Sequence, residues 1–354
     1  MQTAKAGKKS VGIGVLGCGT IGPLHAAAAE GLGGAHLVAV ADMVPERAAK
    51  LAAHHGVRAC AGIQELLALP GVDLVCVCTP SGTHAELGVQ VAEAGRHVVV
   101  EKPIDTNLDA AGRLARSCAG AGVELSVIFQ HRFDAGVSRL RDALAKGEIG
   151  PVAMVEGRAW WYRPQSYYDA DAWRGTYAMD GGALMNQGVH LVDLMLHLFG
   201  PAREVGARVT TAAHAMEAED SAVVHMQMAS GALGVLSVST ATFPGVAETL
   251  TVSGPRAGVS LQAGQVSSWK VAGGDRTEAR GEAAFSAALG SKNLAVDAHR
   301  SQLQDVVDAV RSGGRPAVGA KDGWDALALV LAAYGSARTG RVAVPAPFPS
   351  GFGS

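Results

Sequence analysis

Three observations predict an α/β chain of two domains, a doubly wound parallel sheet followed by an α/β domain with an open, mostly antiparallel sheet. The chain has 354 residues, more than one hydrophobic core usually covers. Its first third alternates short apolar strands with helical stretches. From Pro151 the rhythm changes to successive strands, several of which alternate apolar and polar residues. The predicted divisions are a flexible arm over residues 1–10, a first domain over 11–133, and a second over 134–354 whose late helices pack back near the first.

The strand Val11–Leu16 runs directly into Gly17-Cys18-Gly19-Thr20-Ile21-Gly22, and helical sequence follows through Leu24–Glu30. In that setting the first glycine permits a tight turn, the second lets backbone approach a pyrophosphate, and the third lets helix pack on strand. Pro23 suits the first helical turn, where a missing N–H costs nothing. Gly17, Gly19, Thr20, Ile21 and Gly22 are therefore candidate dinucleotide-binding residues. The next strand, His36–Ala41, ends in Asp42, 20 residues beyond Gly22. A carboxylate there accepts from ribose hydroxyls and repels a 2′-phosphate, and Met43 stands where an arginine would hold that phosphate, so NAD is favoured over NADP. The competing role for Asp42 is a helix cap before Pro45.

Strand and helix then alternate through Val57–Cys60, Ile63–Leu69, Asp73–Cys78, Thr83–Ala94 and His97–Val100. Ligands of such sheets lie beyond the carboxyl ends of the strands. That points to Thr79, Pro80 and His84 after one strand, and to Glu101 and Lys102 after the next. A lysine beside a cofactor cleft is expensive to bury and reads as functional, the alternative being an exposed turn lysine. Glu124–Gln130 leads into His131-Arg132-Phe133, and Asp134–Lys146 reads as a linking helix.

In the second domain Val152–Trp160 is strand-like. Tyr162, Arg163 and Arg174 come next among Trp and Tyr residues, as a sugar or sugar-phosphate platform would, or equally a subunit contact. The stretch Gly181–Gly200, GGALMNQGVHLVDLMLHLFG, winds as a helix apolar over most of its circumference. Asn186, His190, Asp193 and His197 fall in one stripe at spacings of four, three and four. Imidazole, amide and carboxylate suit a cavity better than a solvent face. The bland alternative is a core helix whose polar groups meet backbone partners. Arg203–Thr211, Ser221–Met228, Ala232–Thr240 and Glu248–Ser253 read as strands whose free face can pack on a second subunit. Gly264–Gly290 is uninformative, and helices near Ser301–Val310 and Gly323–Ala337 close the chain.

Hydrophobic residues make up 48% and charged residues 18%, which suits a packed globule. The net charge of −2, with no basic cluster beyond Lys5, Lys8 and Lys9, argues against nucleic acid as a partner. No stretch has the length for a membrane span and no signal peptide is apparent, so a cytoplasmic protein is expected. Five cysteines in apolar surroundings fit a reducing compartment, and the absence of zinc-type spacing predicts no metal.

Taken in order, GVLGCGTIG, CTPSGTHAELGVQVAEAGRHVVVEKP, the helix sequence above, SQLQDVVDAVRSGGRPAV and YGSARTGRVAVP resemble the Gfo/Idh/MocA family over nearly the whole chain. The resemblance implies a Rossmann domain and an open-sheet domain. It also implies an oxidoreductase that uses a nicotinamide cofactor to oxidise a secondary alcohol of a sugar, cyclitol or related polyol, or to reduce the ketone. The free face of the second sheet predicts a homodimer or homotetramer. The resemblance places the family's EKP lysine on Lys102 and its catalytic histidine on His190. The usual acid four residues earlier falls on Asn186, an amide that orients an imidazole without adding charge. Arg132, Tyr162, Arg163, Arg174 and Asp193 are candidate substrate contacts. The alternatives are a nucleotide-sugar dehydrogenase or ketoreductase within the family and, outside catalysis, an NAD(H)-binding redox sensor.

Overall fold

Strands β1 (Val11–Leu16), β4 (Leu74–Val77) and β5 (His97–Val100) are apolar on both faces, as strands of a sheet covered on both sides must be. With β2 (Ala35–Ala41), β3 (Arg58–Cys60) and β6 (Leu125–Val127) they form a six-stranded parallel sheet in the order β3-β2-β1-β4-β5-β6. That order reverses between β1 and β4, which opens a crevice at the carboxyl ends. The computed structural model describes residues 10–274, 277–279 and 292–351. Residues 1–9 of the predicted arm and much of the stretch 264–290 lie outside the described residues.

One face of this sheet is covered by α1 (Gly22–Ala29), α2 (Pro45–His55) and α9 (Lys292–Ser312), which join Ile13, Val15 and Cys76 in one core. The other face carries α3 (Ile63–Leu67), α4 (His84–Glu93), α5 (Leu108–Ala121) and α10 (Ala320–Thr339). The late helices thus come back onto the first sheet. Gln302 of α9 accepts from the Phe129 N–H at 2.9 Å and donates to the Val127 carbonyl at 2.8 Å, so a buried amide ties them together. Helix α5 is missing from the sequence reading although its ends are signalled, by Asn107 accepting from the Ala110 N–H and by Gly122 in the left-handed region. Its inward residues, Ala111, Ala115 and Cys118 beside Leu114, are mostly small.

After α6 (Ala135–Ala145) the second sheet runs β14-β13-β12-β11-β7-β10-β9-β8. Its strands are β7 (Met154–Trp160), β8 (Ala202–Thr210), β9 (Ser221–Met228), β10 (Leu233–Ser239), β11 (Thr249–Ser253), β12 (Ala257–Gln262), β13 (Gln265–Val271) and β14 (Thr277–Ala279). All neighbours are antiparallel except β7 and β10, which are parallel. Val155, Ala159, Val224, Leu236 and Val252 face the core. Met154, Trp160, Val223 and Leu233 stand exposed on the other face.

Between β7 and β8 come the short α7 (Gln165–Asp169), a π-helical turn at Leu184–Gly188, and α8 (Val189–Phe199). The expectation of one regular helix from Gly181 is corrected by that turn, which precedes the α-helix proper.

Candidate active site

A cleft of about 2090 Å³ lies at the carboxyl ends of the parallel strands and is lined by residues of both domains. Its first wall is largely backbone. Gly17 adopts φ +98°, and a Cβ there would lie 2.6 Å from the Cys78 carbonyl oxygen. A Cβ at Gly22 would lie 1.9 Å from the Gly17 oxygen, whereas one at Gly19 would meet nothing within 4 Å. Two glycines thus close the turn and the third leaves room for a ligand. Thr20 and Ile21 line the same turn. Asp42 also lines the cleft; it accepts from the Cys18 N–H at 2.7 Å and the Val44 N–H at 2.8 Å. It therefore braces the glycine turn, while the residue capping α2 is Val44. Thr79, Pro80 and His84 are at the rim, and His84 bonds the Thr79 and Pro103 carbonyls at 2.9 and 2.8 Å, joining two strand-end loops. The turn, the acid and the open space above Gly19 fit a dinucleotide.

At the end of β5, Glu101 is buried and its Oε1 lies 2.8 Å from His25 Nε2 and 3.5 Å from His299 Nε2. The two imidazoles outweigh burial and hold the carboxyl well below its ordinary range. The cluster His25, Glu101, His299 offers three ligand atoms within 4.8 Å of one another, an arrangement no local spacing betrays because the residues come from three elements. Metal-bound imidazoles place their second nitrogen on an acceptor, and His25 Nδ1 is buried without one. The cluster reads better as an anchor: Glu101 Oε2 accepts from the Lys102 backbone N–H at 3.1 Å and sets the base of that lysine.

Lys102 then reaches across the cleft. Its Nζ donates to the Asn186 carbonyl at 2.9 Å and to Asn186 Oδ1 at 3.1 Å. Asn186 Nδ2 in turn donates to Asp180, whose other oxygen accepts from the Gly175 N–H at 2.9 Å. An ammonium can only donate and a carboxylate here only accepts, so the amide is held with oxygen toward Lys102 and nitrogen toward Asp180. Sequence reasoning misses Asp180. It precedes the glycine pair, outside any helical period, and supplies a carboxylate one step behind the amide. Burial lowers the Lys102 pKa, against the opposing pull of Glu101 and Asp180.

His190 lines the same cleft from α8 and is buried. Its ring stands T-shaped to His131 at 5.0 Å and to Phe129 at 6.4 Å, and its Nδ1 is sealed without a hydrogen-bond partner. Burial first, then the charges of His131 and Lys102, hold its pKa well below 6.5.

The other predicted contacts divide. Arg163 and Arg174 line the cleft and flank the Tyr167 ring at 5.3 and 4.5 Å. Arg174 pairs with Asp171 at 3.2 Å, while Arg163 Nε is buried with no partner. Arg132 and Asp193 are a correction. They bind each other at 2.8 Å, with Asp322 on the same guanidinium at 2.9 Å, away from the cleft lining. Residue 193 is offset from residue 190 by about 60° around a helix, enough for Asp193 to meet the other domain. His197, fourth in the stripe, is likewise outside the lining. Tyr162 is also displaced, exposed and edge-on to Phe243 at 5.2 Å.

Residues 11–129 match the profile of an oxidoreductase family with an NAD-binding Rossmann fold, and residues 137–260 match the GFO/IDH/MocA C-terminal domain. Among curated proteins, inositol 2-dehydrogenase of Rhizobium meliloti is 30% identical over 92% of this chain and 97% of its own. Myo-inositol 2-dehydrogenase of Thermotoga maritima is 30% identical over 91% and 94%. Among solved structures, the WlbA dehydrogenase of Bordetella pertussis in complex with NADH and UDP-GlcNAcA is 33% identical, with a TM-score of 0.87 over 96% of this chain and 99% of that one. With the glycine turn, the parallel sheet whose strand order reverses and the open, mostly antiparallel sheet, these matches make the chain an oxidoreductase of the GFO/IDH/MocA family.

Proposed function

We propose that this chain transfers hydride between NAD and a secondary alcohol or ketone of a sugar, cyclitol or related polyol, using Lys102, His190 and Asn186. One observation carries the reading: a lysine from the dinucleotide domain is tied to Asn186 just ahead of His190, all three lining one cleft. Bound NAD supplies the hydride acceptor. Lys102 Nζ donates to the substrate oxygen and stabilises negative charge developing there. Neutral His190 takes the hydroxyl proton at Nε2, because Nδ1 is closed off from the cleft. Asn186 holds the ammonium in place between these events. His190→Ala should lower kcat by about 10²- to 10⁴-fold while NADH binding, followed by fluorescence, changes little. Full activity in that variant rejects the assignment.

A second reading, a nucleotide-linked or uronic sugar as substrate, is favoured by Arg163, which lines the cleft without a carboxylate partner among the described residues and whose Nε makes no hydrogen bond, and agrees with the UDP-GlcNAcA bound in the similar WlbA dehydrogenase. NADH absorbance across inositols, free sugars and uridine-diphosphate sugars separates the two. We further infer a cytoplasmic protein, from five free buried cysteines, and a homodimer or homotetramer joined through the sheet face that bears Met154, Val223 and Leu233. None of the described helices is long and apolar enough to cross a membrane.

A further inference from the structure

His131 is the half-buried neighbour of His190 that the proposed reaction does not use. It sits in the 3₁₀ turn Gln130–Phe133, at the point where the chain leaves the dinucleotide domain. Its Nδ1 lies 2.8 Å from Asp134 Oδ2 at the start of α6, and its Nε2 lies 3.6 Å from Glu248 Oε1 ahead of β11. Asp193 of α8 adds a third negative charge nearby. Both ring nitrogens thus face carboxylates, one at hydrogen-bond distance and one at ion-pair distance, a setting that favours the imidazolium. Burial opposes that charge, but Glu248, Asp134 and Asp193 outweigh it and push the pKa of His131 up to about 9. The same ring packs T-shaped on His190 at 5.0 Å and 84°. The other groups acting on His190 are Lys102 and His299, which disfavour its protonation, and Glu101, which favours it.

We propose that His131 is a positioning residue that stands beside His190 as a carboxylate-held imidazolium and keeps the His190 ring neutral, ready to accept a proton. The proposal rests on His190 being the base. It assigns a task to the domain junction, since the carboxylates that charge His131 come from the second domain.

Titration of the histidine Cε1–H resonances in the intact protein tests it, with wild type compared with His131→Gln and His131→Phe. In wild type, His131 should remain protonated up to about pH 9. In both variants the His190 midpoint should rise by about one to two pH units, because a unit charge 5.0 Å away has gone. The acid limb of kcat/KM should rise with it. A His131 that is already neutral at pH 7 in wild type overturns the proposal and needs no variant to fold. So does a His190 midpoint that stays in place in a folded variant. A risen midpoint with an unmoved kcat/KM profile supports the coupling between the rings and sinks His190 as the base, so the two failures are distinguishable.

Discussion

The two walls of the cleft are built by different means. The dinucleotide wall is mostly main chain, a turn whose shape is fixed by Gly17 and Gly22 where any Cβ would collide. The opposite wall is side chain, with Asp180, Asn186 and His190 from one segment, Arg163 and Arg174 from another, and Lys102 reaching over from the first domain. A backbone wall is specified by neighbours in sequence and tolerates no change at its closest points. A side-chain wall is specified by partners far apart in the chain, so it can be retuned one group at a time.

The largest effect that can break this contrast comes from Lys102, the residue that belongs to one wall by sequence and to the other by contact. Lys102→Met should lower kcat by roughly 10²- to 10³-fold, the cost of losing one donor to a developing oxyanion. NADH affinity, measured separately by fluorescence, should change only a few-fold. An equal loss in both measurements would show that the lysine serves the dinucleotide wall, and the division would fail.

A smaller effect sharpens it. Asp180→Asn leaves the shape of the site intact but removes the charge that orients Asn186 and helps to keep Lys102 protonated. Turnover should fall by roughly tenfold, of the order of one hydrogen bond to a charged group. Taking a carboxylate away from an ammonium lowers the pKa of that ammonium. The alkaline limb of kcat/KM should accordingly move to lower pH, and a limb that stays in place would mean Asp180 acts on packing alone.

The same contrast explains which residues are legible in the sequence. Gly17, Gly19, Gly22 and Asp42 are legible because their mechanism is local, a turn between strand and helix and an acid at the next strand end. Lys102 and His190 are legible by position, one at a strand end and one on an apolar helix. Asp180 is not, because its partner Asn186 sits in a π turn that has no periodic signature. Arithmetic on an ideal helix also places Asp193 beside His190, whereas the fold offers it a buried guanidinium, Arg132, that no spacing on its own helix could announce. His25 and His299 lie 274 positions apart and share Glu101 only because α9 returns to the first sheet.

Glu219 gives the smallest effect on catalysis and a separate one on stability. It lies buried behind the side-chain wall, where its Oε1 accepts from the Leu184 N–H at 2.8 Å and the Tyr334 hydroxyl at 2.9 Å, and its Oε2 has no partner. Burial raises its pKa to about 7 although those donors pull it down. The folded protein therefore holds this proton more tightly than the unfolded chain, whose glutamate titrates near 4.5. The stability this contributes is complete below pH 4.5 and is lost as pH rises through about 7. In Glu219→Gln the amide oxygen can accept the same two bonds and nothing ionises. The decline in Tm between pH 5 and pH 8 should thus be smaller by a few degrees than in wild type, for a linkage of about 2–3 kcal/mol. Turnover should stay within about twofold, because Glu219 supports the π turn from behind and is absent from the cleft lining. Parallel Tm profiles would show that the carboxylate is already hydrated in the folded state. A large loss of turnover would show that the side-chain wall depends on the charge behind it as well as on the groups at its surface.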